Sequence, residues 1–404
     1  MNGTAHQTRV TSEPPTVSIV TPSFEMVAFL RETIDSVLAQ DWPHMEYLVM
    51  DGGSRDGTRE LLESYGDRIR WFSGPDGGQA EAVNRGFTGT CGSIFTFLNA
   101  DDVYRPGALS TAVAGFDRHR DVGAIYGDAD FVDADGNTVI PYPVRDFDRG
   151  RLMSECFICQ PAAFVRRDAW DACGGLDARL RYALDYDFWI RLSEYRRIVR
   201  IDGTLATSRM HADNKSLGER GGLYRESIAV VKRHFGYVPM NWLEQYARYR
   251  VDKVDQFYEH SLPSRRSRAL ALTLGMRLNL GQPRRFWRDW QADGRDELFV
   301  DGWMSKSYRR PHPVPADATR LVIVGQHHAL VRRPLILTVA VDGRRIGRIV
   351  VRERGDFERS FAISSGLRGR SAEVSVRSAW TWRPDHGGGD ERRLSCLLSR
   401  IAFE

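Results

Sequence analysis

Four short apolar runs in the first hundred residues each stop on a polar cluster, with a helical pattern between one run and the next. Val17-Ser18-Ile19-Val20 stops at Thr21-Pro22-Ser23, and Tyr47-Leu48-Val49-Met50 stops at Asp51. Ile69-Arg70-Trp71-Phe72 precedes Gly74-Pro75-Asp76-Gly77-Gly78-Gln79, and Ser93-Ile94-Phe95-Thr96-Phe97-Leu98 stops at Asn99-Ala100-Asp101-Asp102. Between the first two, Leu30, Ile34, Val37 and Leu38 recur at helical spacing. This βαβαβαβ alternation predicts a mostly parallel sheet with helices on both faces. The strand ends then share one rim, the edge at which open α/β sheets hold ligands. Neither G-x-G-x-x-G nor G-x-x-x-x-G-K-[ST] occurs, which argues against a dinucleotide enzyme and a P-loop enzyme.

Asp101 and Asp102 are adjacent where the fourth run ends. Two such acids repel each other and lose hydration unless a cation or hydrogen-bond donors compensate. A hard divalent ion does so naturally and favours oxygen ligands, including substrate phosphates. The plain alternative is a strand-end turn with solvated Asp side chains.

Past Asp102, a helix around Pro106 to His119 leads to a strand, Gly123-Ala124-Ile125-Tyr126, with a hairpin turn at Asp135-Gly136-Asn137. Gln160 to Val165 reads as another strand. Ala183 to Leu192 reads as a helix whose first turn holds Asp185 and Asp187, where the helix dipole favours negative charge. A strand at Ile198 to Ile201 and the segment Ser208-Arg209-Met210-His211 close this domain near residue 218.

Residues 219 to about 290 read as helical, with Leu270, Leu274 and Leu278 at four-residue intervals. Arg265, Arg266, Arg268, Arg277, Arg284, Arg285 and Arg288 make this region basic. It either docks on an anionic membrane face or phosphate-bearing acceptor, or is a solvated face over the core. From about residue 291 the period becomes two: Leu335, Leu337, Val339 and Val341 alternate before an Asp342-Gly343 turn. Ala372 to Val376 and Leu394 to Ile401 read as further strands of a small β-sandwich. Trp303, Trp380 and Trp382 either line a sugar-binding face or fill the core.

The expected layout is thus a tail over 1–15, an α/β domain over 16–218, a helical linker region over 219–290 and a β-sandwich over 291–404. A chain of 404 residues has room for these parts. Its net charge of +4 creates no global field for nucleic acid. Cys156 and Cys159 form a C-x-x-C without a second pair, so buried thiols are expected rather than zinc. No signal-like N-terminus and no apolar run of about 18 residues is present. A soluble cytoplasmic protein is expected, peripheral at the inner membrane face if the basic helices dock.

Four segments in order, Val17 to Ser23, Asp51-Gly52-Gly53-Ser54-Arg55-Asp56-Gly57-Thr58, Asn99-Ala100-Asp101-Asp102 and Leu184-Asp185-Tyr186-Asp187, resemble the family 2 glycosyltransferases. The resemblance spans residues 16 to 218 and implies a GT-A fold using a nucleotide-diphospho-sugar and a divalent cation, Mn2+ or Mg2+, with inversion at the anomeric carbon. It implies that Thr21 and Asp51 hold base and ribose, with Ser23 beside them; for Asp51 the alternative is a turn cap. Gln79, Asn84 and Arg85 fall where the family contacts the diphosphate, although an ordinary surface Arg85 fits as well. Asn99-Ala100-Asp101 falls on the family's D-x-D motif with its first acid replaced, leaving Asp101 as the main metal ligand. Asp102 is either supporting or acceptor-facing. Asp185 matches the catalytic carboxylate, with Asp187 as rival, and His211 falls where relatives place a histidine metal ligand.

The implied function is transfer of a sugar to a hydroxyl of a saccharide or lipid-linked acceptor, in cell-surface polysaccharide or glycoconjugate synthesis. The alternative is a non-catalytic carbohydrate-binding or scaffold protein that retains the fold. A nucleotidyltransferase would need a Gly-rich basic loop, which Thr21-Pro22-Ser23-Phe24 is not.

Overall fold

The apolar runs fold as strands. β1 (Val17–Ser23), β2 (Met45–Asp51), β3 (Arg70–Ser73) and β4 (Ile94–Phe97) are parallel in the order β3-β2-β1-β4. Ser23 pairs in register with Asp51, and Asp51 with Ser73. Three polar strand ends therefore fall on one line. The computed structural model describes residues 14–211, 214, 218–253, 263–293, 303–304, 307–327, 334–379 and 395–404. The expected tail before residue 14 and the side chains of Trp303, Trp380 and Trp382 lie outside the described parts. The chain divides into two units, Met1–Gly236 and Tyr237–Glu404.

Helices cover both faces of the sheet. α1 (Val27–Leu38) buries Leu30, Ile34 and Val37 against Val17, Ile19 and Val49. α2 (Thr58–Ser64) adds Leu61 and Leu62 to the same core. On the other face, α3 (Gln79–Thr88) lies close to β1: a Cβ on Gly86 would sit 2.6 Å from Val20 Cγ1. The missing side chain is what lets helix and sheet meet there.

Beyond β4 the sheet is mixed. The elements are β5 (Val103–Tyr104), α4 (Ala108–Arg118), β6 (Val122–Val132), β7 (Thr138–Pro141), α5 (Arg149–Leu152), β8 (Ala163–Arg166), α6 (Arg167–Cys173), α7 (Leu184–Tyr195), β9 (Arg197–Arg209) and α8 (Arg220–Phe235). The order continues β4-β8-β6-β9-β5, with β7 on β6; β8 runs antiparallel to β4 and β6. Pro161, which has no N–H to offer a ladder, sits in a 3-10 turn over Gln160–Ala162, so β8 starts at Ala163 and is shorter than its apolar run. The short strand near Ile198 and the segment up to Arg209 are one long strand, β9, whose register with β6 shifts around Asp128. Phe87 of α3 stacks on Phe95 at 4.2 Å, and Trp170 of α6 meets both rings edge-on.

The second unit contains α9 (Met240–Val251), α10 (Arg265–Leu278) and α11 (Pro283–Asp293). Leu270, Leu274 and Leu278 are half-buried, and the fully buried stripe is Ser267, Ala271 and Gly275. The small residues face inward because Phe286 of α11 lies over Gly275, where a Cβ would come 2.2 Å from its ring. The strands are β10 (Trp303–Met304), β11 (Ser307–Pro313), β12 (Arg320–His327), β13 (Leu335–Val341), β14 (Arg344–Val351), β15 (Gly355–Ala362), β16 (Ser371–Ser378) and β17 (Cys396–Phe403). They form antiparallel sheets in the orders β10-β17-β12-β15 and β11-β16-β13-β14 around one core. In β13 the predicted alternation holds: Leu335, Leu337, Val339 and Val341 are buried, and the residues between are not. Asp342 (φ 47°) and Gly343 (φ 77°) both take the left-handed conformation that a two-residue hairpin needs.

Candidate active site

The rim of the first sheet carries a continuous polar network. Gln79 Nε2, at the start of α3, donates to Asn99 Oδ1 at 2.7 Å. Asn99 Nδ2 donates to Asp102 Oδ2 at 3.0 Å and to Gln160 Oε1 at 3.2 Å. Gln160 in turn donates to the Phe97 carbonyl at 2.5 Å, tying the rim to β4. Asp102 Oδ1 accepts from the Arg209 backbone N–H at 3.1 Å. Asp102 is buried and supports the turn; burial, then the neighbouring Asp101 charge, push its carboxyl well above the usual range.

Asp101 faces the end of β9. His211 Nε2 lies 3.0 Å from Asp101 Oδ2, and Asn214 Nδ2 donates to the same oxygen at 3.3 Å. The Asp101 side chain keeps 12% of its surface exposed and that of His211 5%. His211 Nδ1 is buried and has no hydrogen-bond partner among the described residues. Its ring rests on Phe29 of α1, with centroids 4.5 Å apart.

Arg209 holds this corner together. Its side chain, almost wholly buried, donates to the Asp101 carbonyl at 3.0 Å, the Ala134 carbonyl at 2.9 Å and Glu32 Oε2 at 2.5 Å. Its guanidinium also lies 5.2 Å from the Phe29 ring centroid. Neither Arg209 nor Gln160 stands out in the sequence, since an Arg in an alternating strand and a Gln before Pro have no periodic signature.

A carboxylate and an imidazole nitrogen in mutual contact are a donor pair suited to a divalent cation such as manganese. Among the described residues no group of three or more His, Cys, Asp and Glu side chains converges. Asp101 and His211 are therefore two candidate ligands, and a cation there would take the rest of its shell from other oxygen donors.

At the end of β1, Ser23 is buried with its hydroxyl unpartnered among the described residues. Thr21 turns inward, 3.1 Å from the Tyr47 hydroxyl, so the free hydroxyl on this strand end is that of Ser23. Asp51 is buried and accepts from Ser54 Oγ at 2.5 Å, Ser73 Oγ at 2.6 Å and the Ser54 N–H at 3.1 Å. That is the turn cap raised as an alternative. Asn84 clamps the Leu176 backbone from both amide atoms, at 2.8 and 2.9 Å, and so joins α3 to the loop before α7. Arg85 is exposed, 3.8 Å from Glu81 and over the Phe72 ring.

Asp185 and Asp187, two residues apart on α7, have different surroundings. Asp185 is partly exposed, and among the described residues no side chain bonds its carboxylate. Burial pushes its pKa up to about 6 against the pull of backbone N–H groups at the helix start. Asp187 is fully buried, meeting Arg191 Nε at 2.8 Å, His234 Nε2 at 2.7 Å and the Arg233 guanidinium. Burial alone would raise its pKa, but bonds from His234, Arg191 and Arg233 hold it below the usual carboxylate value. Glu226 of α8 accepts the successive N–H groups of Arg181, Tyr182 and Ala183 at 2.9, 2.6 and 2.6 Å. Thus α8, read in the sequence with the linking helices, anchors the helix that bears Asp185. Burial, then the charges of Asp102, Cys156 and Asp185, raise the pKa of the Cys159 thiol well above normal.

Two surface cavities, of about 360 Å³ beside Arg31 and Glu60 and about 660 Å³ beside Tyr195 and Arg197, do not include these carboxylates. Asn99, Asp185 and His211 each stay partly accessible. All five cysteines are free thiols. Among the described residues no helix is long and apolar enough to cross a membrane.

A parallel half-sheet with polar strand ends, continued as a mixed sheet, makes an α/β domain of the GT-A-like fold class. Residues 18–174 match the family model described as glycosyl transferase family 2. A PGL/p-HBAD biosynthesis glycosyltransferase of Mycobacterium bovis is 30% identical over 226 residues, 55% of this chain and 82% of that protein. The chain belongs to glycosyl transferase family 2. A hyaluronan synthase of Pasteurella multocida is 25% identical over 257 residues, 61% of this chain but only 26% of the synthase. An uncharacterized glycosyltransferase of Rickettsia felis is 30% identical over 219 residues, 50% of this chain and 35% of that protein. Among solved structures, S. aureus TarS 1-349 in complex with UDP-GlcNAc aligns with TM-score 0.45 and 15% identity, over 69% of this chain and 92% of that one. Mannosyltransferase PcManGT from Pyrobaculum calidifontis, in complex with GDP-Man and Mn2+, aligns with TM-score 0.45 and 18% identity, over 69% and 84%.

Proposed function

We propose that this chain is an inverting, divalent-cation-dependent glycosyltransferase that moves a sugar from a nucleotide-diphospho-sugar to a hydroxyl of a saccharide or lipid-linked acceptor, in polysaccharide or glycoconjugate synthesis. The observation that carries the reading is the contact between Asp101 and His211 on a rim that also holds the Ser23 hydroxyl, unpartnered among the described residues. Ser23 and the loop capped by Asp51 receive the nucleoside. Gln79 and Asn99 present amide groups beside the diphosphate, with Arg85 at the outer edge. Asp101 and His211 hold the cation, Mn2+ or Mg2+, which when bound supplies Lewis-acid stabilisation of the departing diphosphate.

Asp185 is the general base. A carboxylate with a pKa of about 6 is ionised at neutral pH yet basic enough to take a proton from an attacking hydroxyl. Among the described residues it has no ion pair, whereas Asp187 is committed to Arg191, Arg233 and His234 and acts as an anchor. Asn84 positions α3 against the loop before α7. Asp102, whose carboxyl burial pushes well above the usual range, shapes the turn through Asn99 and Arg209.

Incubation with a panel of nucleotide sugars, Mn2+ and saccharide acceptors, followed by mass spectrometry, tests this reading. Nucleoside diphosphate release and a glycosylated product are expected from the wild type, and about a hundredfold less or lower still from Asp185→Asn. Equal turnover by that variant rejects Asp185 as the base. Glycan binding with neither transfer nor nucleotide-sugar hydrolysis would support the non-catalytic alternative.

A further inference from the structure

The second unit contains a surface that the transferase reading does not use. From residue 263 to residue 290 the chain carries seven arginines and a single acid, Asp289, while the whole chain has a net charge of +4. These 28 residues, seven arginines against one acid, therefore form a dense local positive charge on α10, α11 and the turn between them. Arg265, Arg266, Arg268, Arg277, Arg284 and Arg288 are all exposed. Asp289 is a single charge against them: it accepts from the Tyr237 hydroxyl at 2.6 Å and faces Arg285 and Arg288.

The same hairpin is where apolar side chains reach solvent. Three of the nine large hydrophobic residues exposed among the described residues fall within it: Met276 (40%), Leu280 (76%) and Trp287 (44%). A solvated basic helix face has no use for a Leu at its tip and a Trp among its arginines. Exposed apolar side chains interleaved with arginines are the signature of an interfacial, membrane-surface helix.

The tip is also held in place. Asn279 is buried, accepting from the Val238 N–H at 2.8 Å and donating to its carbonyl at 3.0 Å. Phe286 packs onto Gly275 beneath it. Leu280 and the flanking arginines therefore project from a pinned turn, and docking would not first require that turn to order.

We propose that the α10–α11 hairpin is a docking surface for an anionic lipid bilayer. Leu280, Met276 and Trp287 enter the headgroup–acyl boundary, and Arg277, Arg284 and Arg288 meet lipid phosphates around them. Charge complementarity selects the leaflet and the apolar tip makes contact less sensitive to salt. The proposal is independent of the chemistry assigned to the rim.

Flotation of the full chain with vesicles tests it, using phosphatidylcholine alone and phosphatidylcholine containing phosphatidylglycerol. The wild type is expected to float with the anionic vesicles and not with the neutral ones. Arg277→Gln with Arg284→Gln should lower partitioning roughly tenfold or more. Leu280→Ser with Trp287→Ser should abolish the binding that survives high salt. Brominated lipids should quench part of the tryptophan fluorescence of the wild type, and that part should be missing in Trp287→Phe. All these side chains are exposed, and unchanged melting curves verify that the variants fold. Failure to float, flotation indifferent to lipid charge, or unaltered flotation of both double variants would overturn the proposal. So would retention by a soluble polyanion such as a DNA duplex without flotation, which would reassign the arginines to a different partner.

Discussion

The imidazole of His211 lies 3.0 Å from the carboxylate of Asp101, although 110 residues separate them in the chain. β4 delivers Asp101 and β9 delivers His211, and these strands are kept apart in the sheet by β8 and β6. Arg209 closes the gap, reaching from β9 to the Asp101 carbonyl and across to Glu32 of α1. The pair thus depends on a buried guanidinium as much as on its own two side chains.

Replacing Arg209 tests that dependence. Arg209→Ala leaves the Asp101 and Ala134 carbonyls without their donor, and a loss of about 1–3 kcal/mol is expected from these unsatisfied groups, the exposed Glu32 adding little. Arg209→Lys should recover little, because an ammonium cannot reproduce the planar fork. Urea unfolding measures both; wild-type stability in either variant would remove Arg209 from this role.

Asp185→Asn should lower turnover by about 10²–10⁴-fold with donor binding intact. In the wild type, activity should rise through pH 6 as the base ionises, and level off above it. The stability effect has the opposite sense to that of a paired carboxylate. A folded pKa above the unfolded value means that the folded state holds its proton more tightly, so this group favours folding more as pH falls through about 6. Asp185→Asn should therefore melt higher than the wild type at neutral pH, by an increment that vanishes near pH 4. A rate profile flat across pH 6 would contradict the base assignment.

Asp187 should behave in the reverse way. Its pKa is lowered, so its contribution to stability is complete above the unfolded value and is lost as pH falls through the folded one. Asp187→Ala uncovers Arg191, Arg233 and His234 and should cost about 3–5 kcal/mol. Chemical denaturation at neutral and acid pH checks this. The variant and the wild type should converge in acid, and a constant gap between them would be inconsistent with the network.

Gly86→Ala adds a methyl group 2.6 Å from Val20 Cγ1 and 2.8 Å from Cγ2. Helix α3 must move off β1, and a destabilisation of about 1–3 kcal/mol is expected. An unchanged unfolding midpoint would mean that this contact is looser than it looks.

Strand existence and order of function were legible in the sequence because apolar runs of the right length ended on turn-forming residues. The strands up to Phe97, the helix bearing Asp185 and the alternating face of β13 follow from that pattern. Pairing beyond β4 was not legible, since nothing in the run after Gln160 signals that β8 enters the sheet antiparallel. On the rim, Asp101 and His211 came from motif order, and contact between them is visible only in three dimensions. Thr21 and Asn84 have the right polarity, but hydroxyl direction and amide bonding depend on Tyr47 and Leu176, which lie far away in the chain. Arg209 and Gln160 were hidden for the same reason: buried polar side chains act through partners that periodicity cannot reveal.

Calorimetric titration with nucleoside diphosphates, with and without Mn2+, puts the donor site to its most direct test. Wild type and Asp185→Asn should bind one nucleoside diphosphate when the cation is present, and Asp101→Ala and His211→Ala should bind it weakly or not at all. Cation-independent binding, or affinity in Asp101→Ala equal to that of the wild type, would contradict a donor site built on this pair.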